Sequence, residues 1–269
     1  MSDFFSTHDG NAPDFMASPF RAKLRDHVFD LLLAFDRRRC KITREMRALP
    51  RQKILVVGVE VPGRDGGLQR IAEQLASSRH EVVISLVPMR PKGKFENVDD
   101  AIAAASRLLS DFDWLIITDD DVALPRNFTD RYVAAAQLAD LVVSQPAHKF
   151  LSYATYQITR RKRGYMARQT NFVEIGPLTV IRKEAFEALV PFPPSRWSYG
   201  IDVLWAEICH RHGWRMGVVD AVPIRHLQPV AATYDMSEAI AEGRDLLMRH
   251  NVNLDRADLF MPGKELIPS

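Results

Sequence analysis

Three consecutive aspartates, Asp119-Asp120-Asp121, follow the apolar run Trp114-Leu-Ile-Ile-Thr118. Adjacent carboxylates repel one another unless a cation or a set of donors offsets them. Hard oxygen donors suit Mg²⁺ or Mn²⁺, which usually keep coordination positions for phosphate oxygens. The other reading is a capping cluster ahead of Pro125 and the helix-patterned segment beyond it. One Asp suffices for a cap, which favours the metal. Glu174 stands in an apolar stretch before Gly176-Pro177, where a carboxylate is either paired or functional. Asp202 precedes Val-Leu-Trp-Ala-Glu and reads as a helix N-cap. His226 ends a late apolar run, where a histidine at the edge of the core is the ordinary explanation.

These side chains need a scaffold. Runs of β-type residues at 53–59, 81–87, 113–118 and 141–145 alternate with helix-patterned segments at 68–77, 98–109 and 127–138. Such alternation predicts an α/β fold, a mostly parallel central sheet with helices on both faces. In open sheets of this kind ligands bind at the carboxyl ends of the strands, where the aspartates stand. Beyond residue 150 the alternation weakens. Residues 153–168 are basic and aromatic, 172–181 read as a strand and 183–189 as a short helix. Residues 191–194 read as a loop. A helix is predicted over 202–212 with Gly213 as its stop, then a strand over 215–224 leading to His226.

Composition narrows the function classes. The 269 residues are 46% hydrophobic and 26% charged, as in a globular enzyme-sized chain. Thirty-six Lys and Arg against 34 acids leave a net charge of +2, too little for a nucleic-acid-binding surface. Two isolated cysteines, Cys40 and Cys209, make neither a four-ligand zinc site nor a disulfide framework, and read as packing residues in a reducing compartment. No run approaches the ~20 apolar residues of a bilayer span. The N-terminus lacks a secretory pattern, so the cytoplasm is the expected location.

Charge is unevenly placed. Residues 21–51 hold ten Lys/Arg against four acids, a local net of +6. Leu24, Val28, Leu31, Leu32 and Phe35 recur at helical spacing within them. A basic amphipathic helix can lie on an anionic membrane or bind a partner. A helix packed on the main domain with its basic face in water is the favoured expectation. The chain thus divides into a flexible tail (1–20), this basic helical segment (21–51) and one large domain (52–269).

The run Thr118-Asp-Asp-Asp-Val122 after an apolar strand resembles the DxD signature of GT-A glycosyltransferases, with Asp119 and Asp121 as the outer pair. Asn171 to Phe186 is similar to the segment that precedes the acceptor site in that fold. Arg196-Trp-Ser-Tyr-Gly-Ile-Asp202 resembles its aromatic–Gly–x–Asp element, and Val218 to His226 its late strand ending in histidine. Order and spacing agree over residues 53–230.

The resemblance implies a GT-A-like fold and transfer of a sugar from a nucleotide-sugar donor to a glycan, lipid-linked or other hydroxyl acceptor. It implies Mn²⁺ or Mg²⁺ held by Asp119, Asp121 and His226. Asp120 and Arg64 would contact the nucleotide, and Asp202 would act as the base of an inverting displacement. Glu174 and Gly176 would line the acceptor side. Trp197 and Tyr199 would stack on sugar rings or pack in the core. The basic run Arg160 to Arg163, with Arg168, would close on the diphosphate as a lid, contact a phosphorylated or lipid-linked acceptor, or remain a solvated loop.

Other classes stay open on the same residues. Asp119-x-Asp121 also resembles the nucleophile motif of haloacid-dehalogenase-like phosphohydrolases, although it lies deep in the domain and Ala123 departs from that pattern. Pro62-Gly-Arg-Asp-Gly-Gly67 weakly permits a nucleotidyltransferase. A non-catalytic nucleotide-binding scaffold is the third alternative.

Overall fold

The computed structural model describes residues 18–64, 66–229, 235–254, 256–261 and 263–268. The tail expected over 1–20 lies outside the described residues as far as residue 17, and Pro19 and Phe20 already belong to a helix. In chain order the elements are α1 (Pro19–Phe35), α2 (Arg39–Ala48), β1 (Lys53–Glu60), α3 (Gly67–Ala76), β2 (Glu81–Pro88) and α4 (Lys94–Ala103). Then come β3 (Trp114–Thr118), β4 (Val122–Ala123), α5 (Phe128–Leu138), β5 (Val143–His148), β6 (Arg168–Gln169) and β7 (Leu178–Arg182). The chain ends with α6 (Phe186–Leu189), α7 (Ile201–His212), β8 (Met216–His226), α8 (Met236–Arg249), α9 (Arg256–Leu259) and β9 (Lys264–Glu265).

The strands form one sheet in the order β2-β1-β3-β7-β5-β8-β6-β9, with β4 paired to β8. β1 is parallel to β2 and β3, and β5 is parallel to β8. β7 is inserted antiparallel between β3 and β5, so those two blocks point the same way. The mostly parallel sheet is as predicted. Side chains alternate across the pleat. Leu55, Val57, Leu115 and Ile117 face a core closed by Phe95 of α4, Trp205 of α7 and Leu246 of α8. Ile54, Val56, Trp114 and Ile116 face the other core, closed by Ile71 of α3, Phe128 and Tyr132 of α5 and Ile42 of α2. Helices therefore cover both faces.

Several boundaries move. The helix expected over 98–109 is α4, Lys94–Ala103; it ends six residues early, and it begins early because the Glu96 carboxylate accepts the Gly93 N–H at 3.1 Å and steadies an earlier first turn. The strand expected over 172–181 shrinks to Leu178–Arg182. Residues 172–177 form a loop, since Pro177 has no N–H to give a ladder. Cys209 is buried as expected, whereas Cys40 is exposed on α2.

The basic segment departs most from expectation. It is two helices, broken where the Asp36 carboxylate accepts the Arg38 N–H and guanidinium. α1 does pack on the domain, but through the face that carries Asp26, Ala22, Leu33 and Phe29, whose ring meets Phe150 edge-on. Asp26 accepts the N–H groups of Phe150 and Leu151, each at 2.9 Å, and pairs with Arg161 at 3.2 Å. Leu24, Val28, Leu31, Leu32 and Phe35 are left exposed. The reason is the surface α1 meets: Arg161 is 4% exposed there, and a buried cation and two backbone amides must be satisfied.

Candidate functional site

The aspartates emerge where β3 ends, at the carboxyl end of the parallel block. Immediately after Asp121 the chain forms β4 against the end of β8, pairing Val122 with His226 and Ala123 with Arg225. Leu227 N–H donates to the Asp121 carbonyl at 2.9 Å. This short ladder places Asp121 Oδ2 3.2 Å from His226 Nε2. The capping reading fails: the residue ahead of α5 is Asn127, and β4 separates the aspartates from it.

His226 is held from behind. Its ring Nδ1 lies 3.2 Å from the Tyr153 carbonyl, and its backbone N–H donates to Ser152 Oγ at 2.8 Å. A carbonyl only accepts, so Nδ1 carries the hydrogen. In a neutral ring Nε2 then presents a lone pair toward the Asp121 carboxylate, an arrangement that calls for a proton or a metal ion between them. Burial opposes the charged ring, but the Asp121 hydrogen bond and the charges of Asp121, Asp119 and Glu174 raise its pKa above the usual histidine value. Burial likewise opposes the Asp121 charge, and His226, Arg64 and Lys94 outweigh it, holding Asp121 below the usual carboxylate range.

The other two aspartates are drawn elsewhere. Asp119 is gripped by Lys94 Nζ at 2.7 Å, so the expected trio of Asp119, Asp121 and His226 is not assembled. Among the described residues no three His, Cys, Asp or Glu side chains are grouped to hold a metal ion. Asp120 Oδ1 accepts from Arg64 at 2.8 Å, and the same guanidinium stands 3.8 Å from Asp121. Asp120 Oδ2 and Asp121 Oδ1 are buried with no hydrogen-bond partner among the described residues. A buried carboxylate oxygen without a partner is costly, and a cation would satisfy it. Asp121 thus offers a divalent ion a hard carboxylate oxygen and His226 a borderline imidazole nitrogen, leaving further positions for phosphate and water.

A cleft of about 420 Å³ opens beside them, lined among others by Asp119, Glu174, Gly176, Trp197, Tyr199 and Asp202, with His226 at its wall. Gly176 fits because a Cβ there would stand 3.0 Å from both Asp119 Oδ2 and Lys94 Nζ. Glu174 accepts from the Thr159 hydroxyl and the N–H groups of Thr155 and Tyr156, so it is paired and also faces the cleft. Burial raises its pKa against those bonds. Asp202 sits in the first turn of α7, behind Gly200, which takes the capping position with φ of 85°. Burial pushes the Asp202 carboxyl up to about 7; the Glu174 charge adds to the rise and the Val203 N–H opposes it. The aromatic loop is fixed by Glu242 of α8, which accepts from the N–H groups of Arg196 and Trp197 and from the Ser195 hydroxyl. The Arg196 guanidinium lies 4.6 Å from the Trp197 ring centroid.

Two expected nucleotide contacts are corrected. Arg168 is fully buried, pairs with Asp220 at 2.8 Å and donates to the carbonyls of Ile158 and Arg160. A guanidinium so completely satisfied is part of the interior, neither a lid nor a solvated loop. Arg163 is exposed but borders a small hollow beside α1, away from the cleft, with Arg161 tied to Asp26 and Asp30. Conversely, Lys94 and Lys92 line the cleft without having been singled out. Their signal was the basic, Pro/Gly-punctuated run Arg90-Pro-Lys-Gly-Lys94 at the carboxyl end of a predicted strand.

No protein-family model and no curated protein matches the chain. Solved structures do. The chain superposes on Staphylococcus aureus TarS, residues 1–349, with a TM-score of 0.52 and 12% identity, over 76% of this chain and 67% of that one. On GalNAc-T7 with UDP, GalNAc and Mn²⁺ the TM-score is 0.51 at 13% identity, over 67% of this chain. The chain spans 44% of the GalNAc-T7 chain's length. Both are GT-A-type glycosyltransferases, and the fold of this chain is of that type.

Proposed function

We propose that the chain is a metal-dependent glycosyltransferase that moves a sugar from a nucleoside-diphosphate donor to a hydroxyl acceptor, a glycan or a lipid-linked one. The observation that carries the reading is the Asp121–His226 pair, set beside two partnerless carboxylate oxygens at the carboxyl end of β3. The GalNAc-T7 structure with UDP, GalNAc and Mn²⁺, on the same type of fold, supports a donor of this class.

In this reading Asp121 and His226 hold Mn²⁺ or Mg²⁺, which supplies charge neutralisation for the leaving diphosphate. Arg64 and Lys94, now paired with Asp120 and Asp119, are placed to bind phosphate oxygens. Trp197 and Tyr199 offer ring faces to the sugars. Asp202 takes the proton from the acceptor hydroxyl. The acceptor oxygen bonds to the anomeric carbon as the bond from that carbon to the diphosphate oxygen breaks, the electron pair leaving with the nucleoside diphosphate. The configuration inverts. A carboxyl with a pKa of about 7 is matched to base catalysis near neutral pH.

The test is calorimetric titration with UDP, GDP and their sugars, in Mn²⁺ and in chelator. Binding that needs the metal and disappears in Asp121→Asn is expected. Absence of binding to every nucleotide by the folded protein would sink the reading in favour of a phosphohydrolase.

A further inference from the structure

α1 carries a continuous apolar face that nothing in the described structure covers. Phe20, Leu24, Val28, Leu31 and Phe35 follow one another at three- and four-residue spacing, with Leu32 alongside. Phe20 is 76% exposed, Leu31 60% and Phe35 84%. The face is contiguous, unlike scattered exposed apolar side chains, and so marks a contact surface.

Charge selects the partner. Arg21 borders one side of the stripe and Lys23 the other, both exposed, while the Arg25 guanidinium lies 3.9 Å over the Phe150 ring of the domain. The acids of the helix are all turned away: Asp26 to Arg161, and Asp30 to Lys149 and Arg161. Asp36, just past the helix, is engaged by Arg38. The outward side thus presents apolar side chains rimmed by cations alone. At 17 residues α1 is about 26 Å long and is docked along its opposite face, so it lies on a surface rather than crossing one. No helix of the described residues is long and apolar enough to cross a membrane.

We propose that α1 seats the protein on an anionic lipid bilayer, its apolar stripe entering the headgroup boundary and Arg21 and Lys23 meeting lipid phosphates. Long basic side chains reach from an apolar face to that depth, and each cation near an anionic surface adds to the attraction. The docked face is what gives the orientation its rigidity, because Asp26 fixes the helix to the backbone at Phe150 and Leu151.

The test is co-sedimentation of the full chain with phosphatidylcholine vesicles, with and without phosphatidylglycerol. Binding at low salt is expected to be about tenfold stronger on the anionic vesicles and to weaken at high salt. Leu24→Ser/Leu31→Ser removes exposed side chains only, so it leaves circular dichroism unchanged and lowers vesicle binding about tenfold. Arg21→Gln/Lys23→Gln, which spares the Arg25–Phe150 contact, abolishes the preference for anionic vesicles. Absence of vesicle binding by wild type, or unchanged binding in the leucine variant, overturns the proposal. So does a wild-type dimer in lipid-free solution that the leucine variant converts to monomer, which would assign the face to a second copy. Nucleotide binding is independent of these variants, so the site reading and the lipid reading fail separately.

Discussion

Asp121 Oδ2 and His226 Nε2 stand 3.2 Å apart although the residues are 105 positions apart in sequence. The contact is made by the two-residue ladder between β4 and β8, and the Tyr153 carbonyl fixes which ring nitrogen faces the carboxylate. Removing either member should leave the fold and abolish metal dependence. His226→Ala is expected to lose at least about tenfold in nucleotide affinity in Mn²⁺, as for loss of a metal ligand's support. Affinity in chelator should not change. Equal affinities of wild type and variant in Mn²⁺, by calorimetry, would remove His226 from the site.

Asp202 couples activity and stability in opposite senses. Its folded pKa of about 7 lies above the ordinary 3.8, so the folded state holds a proton that the unfolded state has released. Stability conferred by this group is full below about pH 4, falls as pH rises, and is lost above about pH 7. Asp202→Asn mimics the protonated carboxyl. It should match wild type in acid and be more stable at pH 8, by on the order of 2–4 kcal/mol in urea melts. Glu174 and the Val203 N–H, which face the carboxyl, remain in both proteins. Transfer by wild type should rise through pH 7, and Asp202→Asn should bind donor but transfer nothing. Full activity in the variant would end the base assignment.

What the sequence revealed follows from where its physics is local. The alternating cores of Ile54/Val56 and Leu55/Val57 were legible, because strand periodicity depends only on neighbours. So were the aspartates at a strand end. Asp119 read as a metal ligand because the Lys94 ammonium that grips it lies 25 positions away in sequence. Arg168 read as a mobile cation because the Asp220 carboxylate that buries it lies 52 positions away. α1 misled for the same reason. Its apolar stripe suggested an inward face, and only the domain surface around Arg161 determines that Asp26 points in instead. α8 went unread, and with it Glu242, whose carboxylate holds the aromatic loop 45 positions away.

Gly176→Ala isolates the Lys94–Asp119 pair. The added Cβ would press on two side-chain ends, each at 3.0 Å, that can move apart without disturbing the backbone. Stability should change by less than about 1 kcal/mol. If the pair helps seat the diphosphate, donor affinity should fall several-fold, whereas UDP-independent properties such as the melting temperature stay near wild type. A variant with wild-type affinity would show that the pair can part at no cost to binding.

Arg168 separates interior from lid. Arg168→Met leaves Asp220 buried without its cation and the carbonyls of Ile158 and Arg160 without donors. Breaking one side of such a pair costs about 3–5 kcal/mol, a large part of a domain's stability. The loss should appear as a lowered denaturation midpoint. Arg168→Lys keeps the charge but not the forked geometry, so it should be destabilised less while remaining folded. Nucleotide affinity of Arg168→Lys should stay within about twofold of wild type, since the side chain is fully buried and does not line the cleft. A large loss of affinity at unchanged stability would restore the lid role that burial argues against.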